Sequence, residues 1–333
     1  MVSRSRRRVL SMSGSLLALG LCGCTGDEVL VERRAPAGDD ALLTPMLSIS
    51  GGWRVEPQRP MQAAPLVGGR LNFVRPVGIA ALGDVLLVAD AGARTLWRVD
   101  RSRDAMAAFA PFTGGGVEQG ASLQLGNDFS AWIALPAEHV VVQYDARGRV
   151  VRSWRDEINA ARPVAVAVAD DRSELLVGDA ATAQVVVFDP LGRARRLLGH
   201  GRSDVLQSIA AMSFGPGGLY VLDRIAQQVV VLGASGEVLA LIGEHQLVQP
   251  RALAVDRSGR VFVSDDRDQV IKVFRGARLL GTAGGAGSRT GGFGRIEAMA
   301  VDGNLLYVVD SLNARVQVML VSPPSMEPPV AAP

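Results

Sequence analysis

Three histidines, His139, His200 and His245, are the residues of this 333-residue chain best suited to metal chemistry. Neutral imidazoles are good zinc ligands, and three of them leave a fourth position open for water or substrate. That arrangement belongs to a metal-dependent lyase or hydrolase. The histidines are 61 and 45 residues apart, which matches no compact ligand motif, so distant segments would have to meet on one rim. Separately solvated loop histidines are the simpler reading. Five aspartates, Asp90, Asp179, Asp223, Asp265 and Asp310, form a second set, each closing an apolar run. Five copies at one repeated position suit a folding role, because Asp at a strand end accepts hydrogen bonds from turn amides. Asp265-Asp266-Arg267-Asp268 is rich enough in oxygen for calcium, but Arg267 opposes a cation there. Gly114-Gly115-Gly116 and the glycines from Gly281 to Gly294 lack the lysine of a phosphate-binding loop. Both cysteines, Cys22 and Cys24, lie at the N-terminus, and no G-x-S-x-G elbow occurs.

The elements that position these residues repeat. Val85–Asp90, Leu175–Asp179, Leu219–Asp223, Arg260–Asp265 and Leu306–Asp310 are each an apolar run ending in Asp. Ala131–Leu135 is a sixth copy with Leu in place of Asp. Equivalent positions step by 45, 44, 44, 42 and 45 residues. Periods of this size with several short strands per unit indicate radially arranged repeats. Each unit begins with a small-residue segment (Gly78-Ile79-Ala80, Ala165-Val166-Ala167, Ala252-Leu253-Ala254, Ala298-Met299-Ala300), which suits a crowded inner strand. Continuous runs such as Val185–Phe188 and Val229–Leu232 predict strands covered on both faces. Arg-rich segments (Val151–Trp154, Ala194–Leu197) suit outer edges, where charge discourages sheet pairing.

These features predict an all-β, six-bladed β-propeller over residues 45–321. The segments Phe73–Asp90 and Val309–Val318 resemble NHL repeats, a resemblance that implies a ring closed by terminal strands sharing one blade. The last unit stops near Val321, and Met46–Gly51 reads as the fourth strand that completes it. Arg251 and Glu297 stand at the starts of inner strands and are candidate binding residues at the mouth of the central channel. Peptide-amidating lyases hold His-ligated zinc on a similar six-bladed scaffold, which gives the histidine reading a parallel at the level of fold.

Residues 1–23 carry Arg4, Arg6, Arg7 and Arg8 before a short apolar stretch, as a signal peptide does. Leu21-Cys22-Gly23-Cys24 resembles the bacterial lipobox, which implies acylation of Cys24, palmitate included, and a membrane anchor of several acyl chains. Thr25 in place of Asp resembles an outer-membrane sorting signal, facing periplasm or exterior. Ser5–Leu10 also resembles a twin-arginine signal, so the export route stays open. Residues 24–44 read as a polar tether and 322–333 as a Pro-rich tail. Without the four leader arginines the net charge of +2 becomes −2, which excludes the basic stripe of a nucleic-acid binder. The expectation is a monomeric, non-enzymatic binding or scaffold module for an envelope protein or small ligand, without cofactor. The alternatives are the zinc lyase or hydrolase and a peptide or carbohydrate sensor.

Overall fold

The apolar runs become strands buried on both faces, and each face belongs to a different core. In Val85–Asp90, Leu87 and Ala89 pack toward one neighbouring blade, while Leu86 and Val88 pack toward the other. Val185–Phe188 behaves in the same way, with Val185 and Val187 in one core and Val186 and Phe188 in the next. This is why the runs are continuous and not alternating: each sheet is sandwiched between two others. Burying each such side chain contributes about 1.5–3 kcal/mol.

A computed structural model describes residues 42–55, 66–112, 120–168, 174–199 and 205–323. The leader, Cys24, the tether before Leu42, Gly114–Gly116, His200 and the tail after Pro323 lie outside the described residues. In chain order, β1 (Leu43–Ile49), β2 (Gly51–Val55) and β3 (Leu66–Asn72) precede the repeats. Blade 1 holds β4 (Pro76–Leu82), β5 (Val85–Asp90), β6 (Thr95–Asp100) and β7 (Ala105–Pro111). Blade 2 holds β8 (Leu123–Leu125), β9 (Ala131–Leu135), β10 (Val140–Tyr144) and β11 (Val150–Trp154). Blade 3 holds β12 (Pro163–Val168), β13 (Leu175–Asp179), β14 (Gln184–Phe188) and β15 (Ala194–Leu198). Blade 4 holds β16 (Ala211–Gly215), β17 (Gly218–Asp223), β18 (Gln228–Leu232) and β19 (Val238–Ile242). Blade 5 holds β20 (Pro250–Val255), β21 (Arg260–Asp265), β22 (Val270–Arg275) and β23 (Arg278–Gly284). Blade 6 holds β24 (Ile296–Asp302), β25 (Leu305–Asp310) and β26 (Arg315–Val321), with β1 as its outermost strand. The six first strands neighbour one another in ring order, and β24 returns to β4.

Ring closure by β1 is antiparallel, from Leu43 opposite Val321 to Ile49 opposite Val316. The strand runs from Leu43 to Ile49, slightly ahead of the expected Met46–Gly51, and Gly51 instead begins β2. A side chain at Gly51 would put Cβ 1.9 Å from the Leu71 carbonyl oxygen, so the β2–β3 hairpin requires glycine there. That hairpin is an addition absent from the repeat pattern. Through β2 it pairs parallel with β7 and widens blade 1 to six strands. Val55 packs on Ala105 and Ala107, and Arg70 pairs with Asp104 at 2.5 Å. The outer strands β11 and β15 carry exposed arginines, but β19 exposes Val238, Leu239 and Leu241 and bears no charge.

The five repeated aspartates are buried and hold one rim together. The Asp90 carboxylate accepts from the amides of Val74 and Arg75, which lead into β4, and from those of Gly92 and Ala93, which follow β5. Asp179, Asp223, Asp265 and Asp310 bridge the same two segments in their blades. In blade 2, Leu135 replaces the aspartate, and a 3-10 turn at Pro136–Glu138 makes the reversal. Four residues beyond the anchor position, every blade places a non-glycine residue in the left-handed region: Arg94, His139, Ala183, Gln227, Gln269 and Ala314.

Two stability predictions follow from this rim. Left-handed alanine costs about 1–2 kcal/mol, more than the added flexibility of glycine. Ala183→Gly should therefore raise stability by up to about 1 kcal/mol, whereas Ala167→Gly in β12 should lower it; thermal denaturation of both variants checks the contrast. At Asp265, burial opposes ionisation, but the Lys272 ammonium at 2.6 Å and the amides of Gln249, Val248 and Arg267 hold its pKa below 3.8. That contribution is full above 3.8 and is lost as pH falls through the folded value. Lys272→Ala should cost about 3 kcal/mol at neutral pH, a deficit that narrows in acid, when urea unfolding is compared at pH near 7 and near 3.

Candidate functional site

The anchored amides fix where the neighbouring side chains point. Immediately after its anchored segment, each of four inner strands carries a β-bulge, in which two residues oppose one on the partner strand. The bulged residues are Val77, Val164, Arg251 and Glu297. The valines turn into inter-blade cores. Arg251 and Glu297, in adjacent blades, turn into the central channel. The residues directly after the anchors are Ala91, Ala180, Arg224, Asp266 and Ser311; Arg224 lines the channel and Asp266 pairs with Arg251 there, whereas Ala91 and Ala180 pack against inter-blade cores. Charge is thus concentrated on blades 4, 5 and 6, while blades 1 and 3 present Ala and Val at matching positions.

The cluster is wired pairwise. Arg251 Nε lies 2.5 Å from Asp266 Oδ2, and Arg251 Nη1 lies 3.3 Å from Glu297 Oε2. Arg295 Nε stands 2.9 Å from Glu297 Oε1. The Glu297 side chain is only 7% exposed. Burial raises its pKa above the usual carboxylate value, and the nearby Asp266 charge adds to this, against the lowering pull of Arg251, Arg295 and Arg224. Arg224 has a different position. Its backbone amide is held by Ser208 Oγ, which is itself bound to Asp223. Among the described residues, its guanidinium makes no hydrogen bond or ion pair, although it lines the channel. Burial, with the like charges of Arg251 and Arg295, lowers its pKa from the ordinary arginine value despite Asp266 and Glu297.

The channel encloses about 330 Å³, at the low end of small-ligand sites. Its walls mix small inner-strand residues, including Ala80, Ala211 and Ala252, with larger apolar ones such as Leu123, Met212 and Phe214, and Arg257 also lines it. The close approach of blades at the mouth is set by Gly120, where an added Cβ would fall 2.2 Å from the Glu297 carbonyl oxygen.

The structure brings Arg251 and Glu297 together. It adds Arg224, Arg295 and Asp266, which sequence reasoning did not select as binding residues. Their signal was positional: Arg224 directly follows Asp223, and Asp266 directly follows Asp265. His139 is the left-handed residue of the turn between β9 and β10, and its Nδ1 meets the Ala161 carbonyl. His245 is well exposed in the loop between β19 and β20, 3.9 Å from a Glu244 oxygen. His200 lies outside the described residues, and among those described no three His, Cys, Asp or Glu residues form a metal-holding group. Asp266 of the acidic run pairs with Arg251, and Asp265 is the blade 5 anchor. The glycines after Gly284 form the crossing from blade 5 to blade 6, where Arg315 donates to the carbonyls of Ser288, Arg289 and Gly292.

No protein-family model matches the sequence, and no curated protein matches it. Solved structures do match in fold. A protein of unknown function from Bacteroides thetaiotaomicron is 13% identical, with a TM-score of 0.57, over 82% of this chain and 75% of its own. Virginiamycin B lyase from Staphylococcus aureus is 8% identical, with a TM-score of 0.54, over 74% of this chain and 94% of its own. At these identities the likeness is one of architecture, and the chain is a six-bladed β-propeller.

Proposed function

We propose that this chain is an envelope lipoprotein, acylated at Cys24, whose NHL-like propeller is a non-enzymatic binding module with its ligand site at the charged mouth of the central channel. The observation that carries the reading is the Arg251–Asp266–Glu297–Arg295 cluster, concentrated on two adjacent blades at one end of a channel lined elsewhere mainly by small and apolar residues. Guanidinium and carboxylate groups held pairwise on a hydrogen-bonded rim recognise charge and shape. The leader residues that resemble a lipobox support the anchor, with outer-membrane placement following from Thr25. The neutral-to-acidic balance of the remaining chain suits a small ligand or an envelope protein better than nucleic acid.

The test uses full-length protein extracted from envelopes. Native mass spectrometry should show a small ligand carried by the wild type and reduced about tenfold or more by Arg251→Ala, the effect expected for loss of a charge-assisted hydrogen bond. Equal occupancy in both proteins would remove the channel mouth as the site. Peptide mass spectrometry of the same sample should find an N-terminal acylated Cys24, and an unmodified thiol there would end the lipoprotein reading.

The metal-dependent lyase or hydrolase remains the competing reading, with zinc on His139, His200 and His245. The lyases among the fold neighbours support it only at the level of scaffold, and scaffold does not decide function. Elemental mass spectrometry separates the two readings. About one zinc per chain, retained through dialysis and lost in His200→Ala, would transfer the function to the histidine rim. Metal-free protein that keeps its ligand supports the binding module.

A further inference from the structure

We infer that the ligand at the channel mouth is a small oxyanion, a carboxylate or phosphate group, taken up by Arg224. The inference rests on the binding-module reading and specifies its ligand chemistry. Three guanidiniums, from Arg224, Arg251 and Arg295, face two carboxylates, from Glu297 and Asp266. Arg251 is engaged by both carboxylates and Arg295 by Glu297. Arg224 is left over. Asp266 and Glu297 act on it only at longer range, burial removes part of its water, and an anion entering the channel supplies the direct partner.

Arg224 is also preorganised. It sits on the turn after β17, where Ser208 Oγ accepts from the backbone amides of Arg224 and Ile225, and Asp223 accepts from Ile225 and Ala226. The rigid backbone limits the entropy lost when the guanidinium binds. A planar guanidinium fork matches carboxylate or phosphate oxygens in two parallel hydrogen bonds. The space of about 330 Å³ admits a small molecule and excludes a folded partner.

Calorimetric titration of ligand-free protein with succinate, inorganic phosphate and, as a neutral control, succinamide tests this. The expected result is binding of at least one anion, with the stronger of the two identifying the class of oxyanion, and no binding of succinamide. Arg224→Gln should weaken the anion about tenfold or more. Arg224→Lys, which keeps the charge but loses the fork, should fall between. Arg152→Gln, on the exposed outer strand β11, should bind as the wild type does. Thermal midpoints confirm folding, and the Arg224→Lys arm decides the matter if the glutamine variant does not fold. Anion binding indifferent to Arg224, or succinamide binding as well as succinate, overturns the inference. If no anion binds but the ligand retained from envelopes is still lost in Arg251→Ala, the oxyanion assignment fails and the binding module stands. If Arg251→Ala also changes nothing, both fall.

Discussion

A buried carboxylate at the end of the second strand is the interaction on which this propeller depends. An ionised Asp with no exposed surface is costly unless hydrogen bonds replace its water. Asp90, Asp179, Asp223, Asp265 and Asp310 each obtain those bonds from two segments that the chain order separates by about fifteen residues. The same bonds that make the charge tolerable tie the segment leading into each inner strand to the turn leaving the second strand. Geometry at one rim is therefore set by backbone amides and is independent of the side chains displayed there. Those side chains vary from Ala91 to Arg224 to Asp266 while the backbone repeats.

Packing between blades supplies the rest of the cohesion, and closure decides whether the ring holds. Each pair of neighbouring blades shares a core, and β1 contributes to two of them through Leu43 and Ile49. Blade 2 shows how much an anchor can be spared. Leu135 stands where Asp would be, its side chain in the core with Leu87 and Val140, and the 3-10 turn makes the reversal. An apolar residue there avoids the desolvation cost along with the hydrogen bonds, so one blade dispenses with the carboxylate while its neighbours on both sides keep theirs.

The architecture was legible because repetition amplifies weak signals. One apolar run ending in Asp says little, but five at a period near 44 specify strand, turn and ring together. Arg251 and Glu297 were legible as channel residues because they interrupt the small-residue starts of inner strands. Three features were not. The β2–β3 hairpin has no counterpart in other blades, and its contact with β7 is a two-residue parallel pairing that hydrophobic periodicity does not mark. The left-handed turn residues escaped because none of the six is glycine; Ala183 and Ala314 carry no local sign of positive φ. Arg224 carries no sign of its own in the sequence, because only the folded ring turns the residue after Asp223 into the channel.

On a repeated scaffold, function lies where the repeat is broken. What recurs from blade to blade answers to folding, as the five aspartates do. What departs from the repeat at a position fixed by the repeat is free of that demand. Arg251 and Glu297 occupy bulges that hold Val in blades 1 and 3, where valine adds to a core. A charged residue at such a place gives up that burial and pays for desolvation, which Glu297 registers in its raised pKa. Four such departures, at Arg224, Arg251, Asp266 and Glu297, fall on adjacent blades at one end of one channel. Scattered substitutions would have left isolated charges, each with its own cost. Their convergence into a single cluster, with one guanidinium left unpaired, is the asymmetry that a ligand would complete.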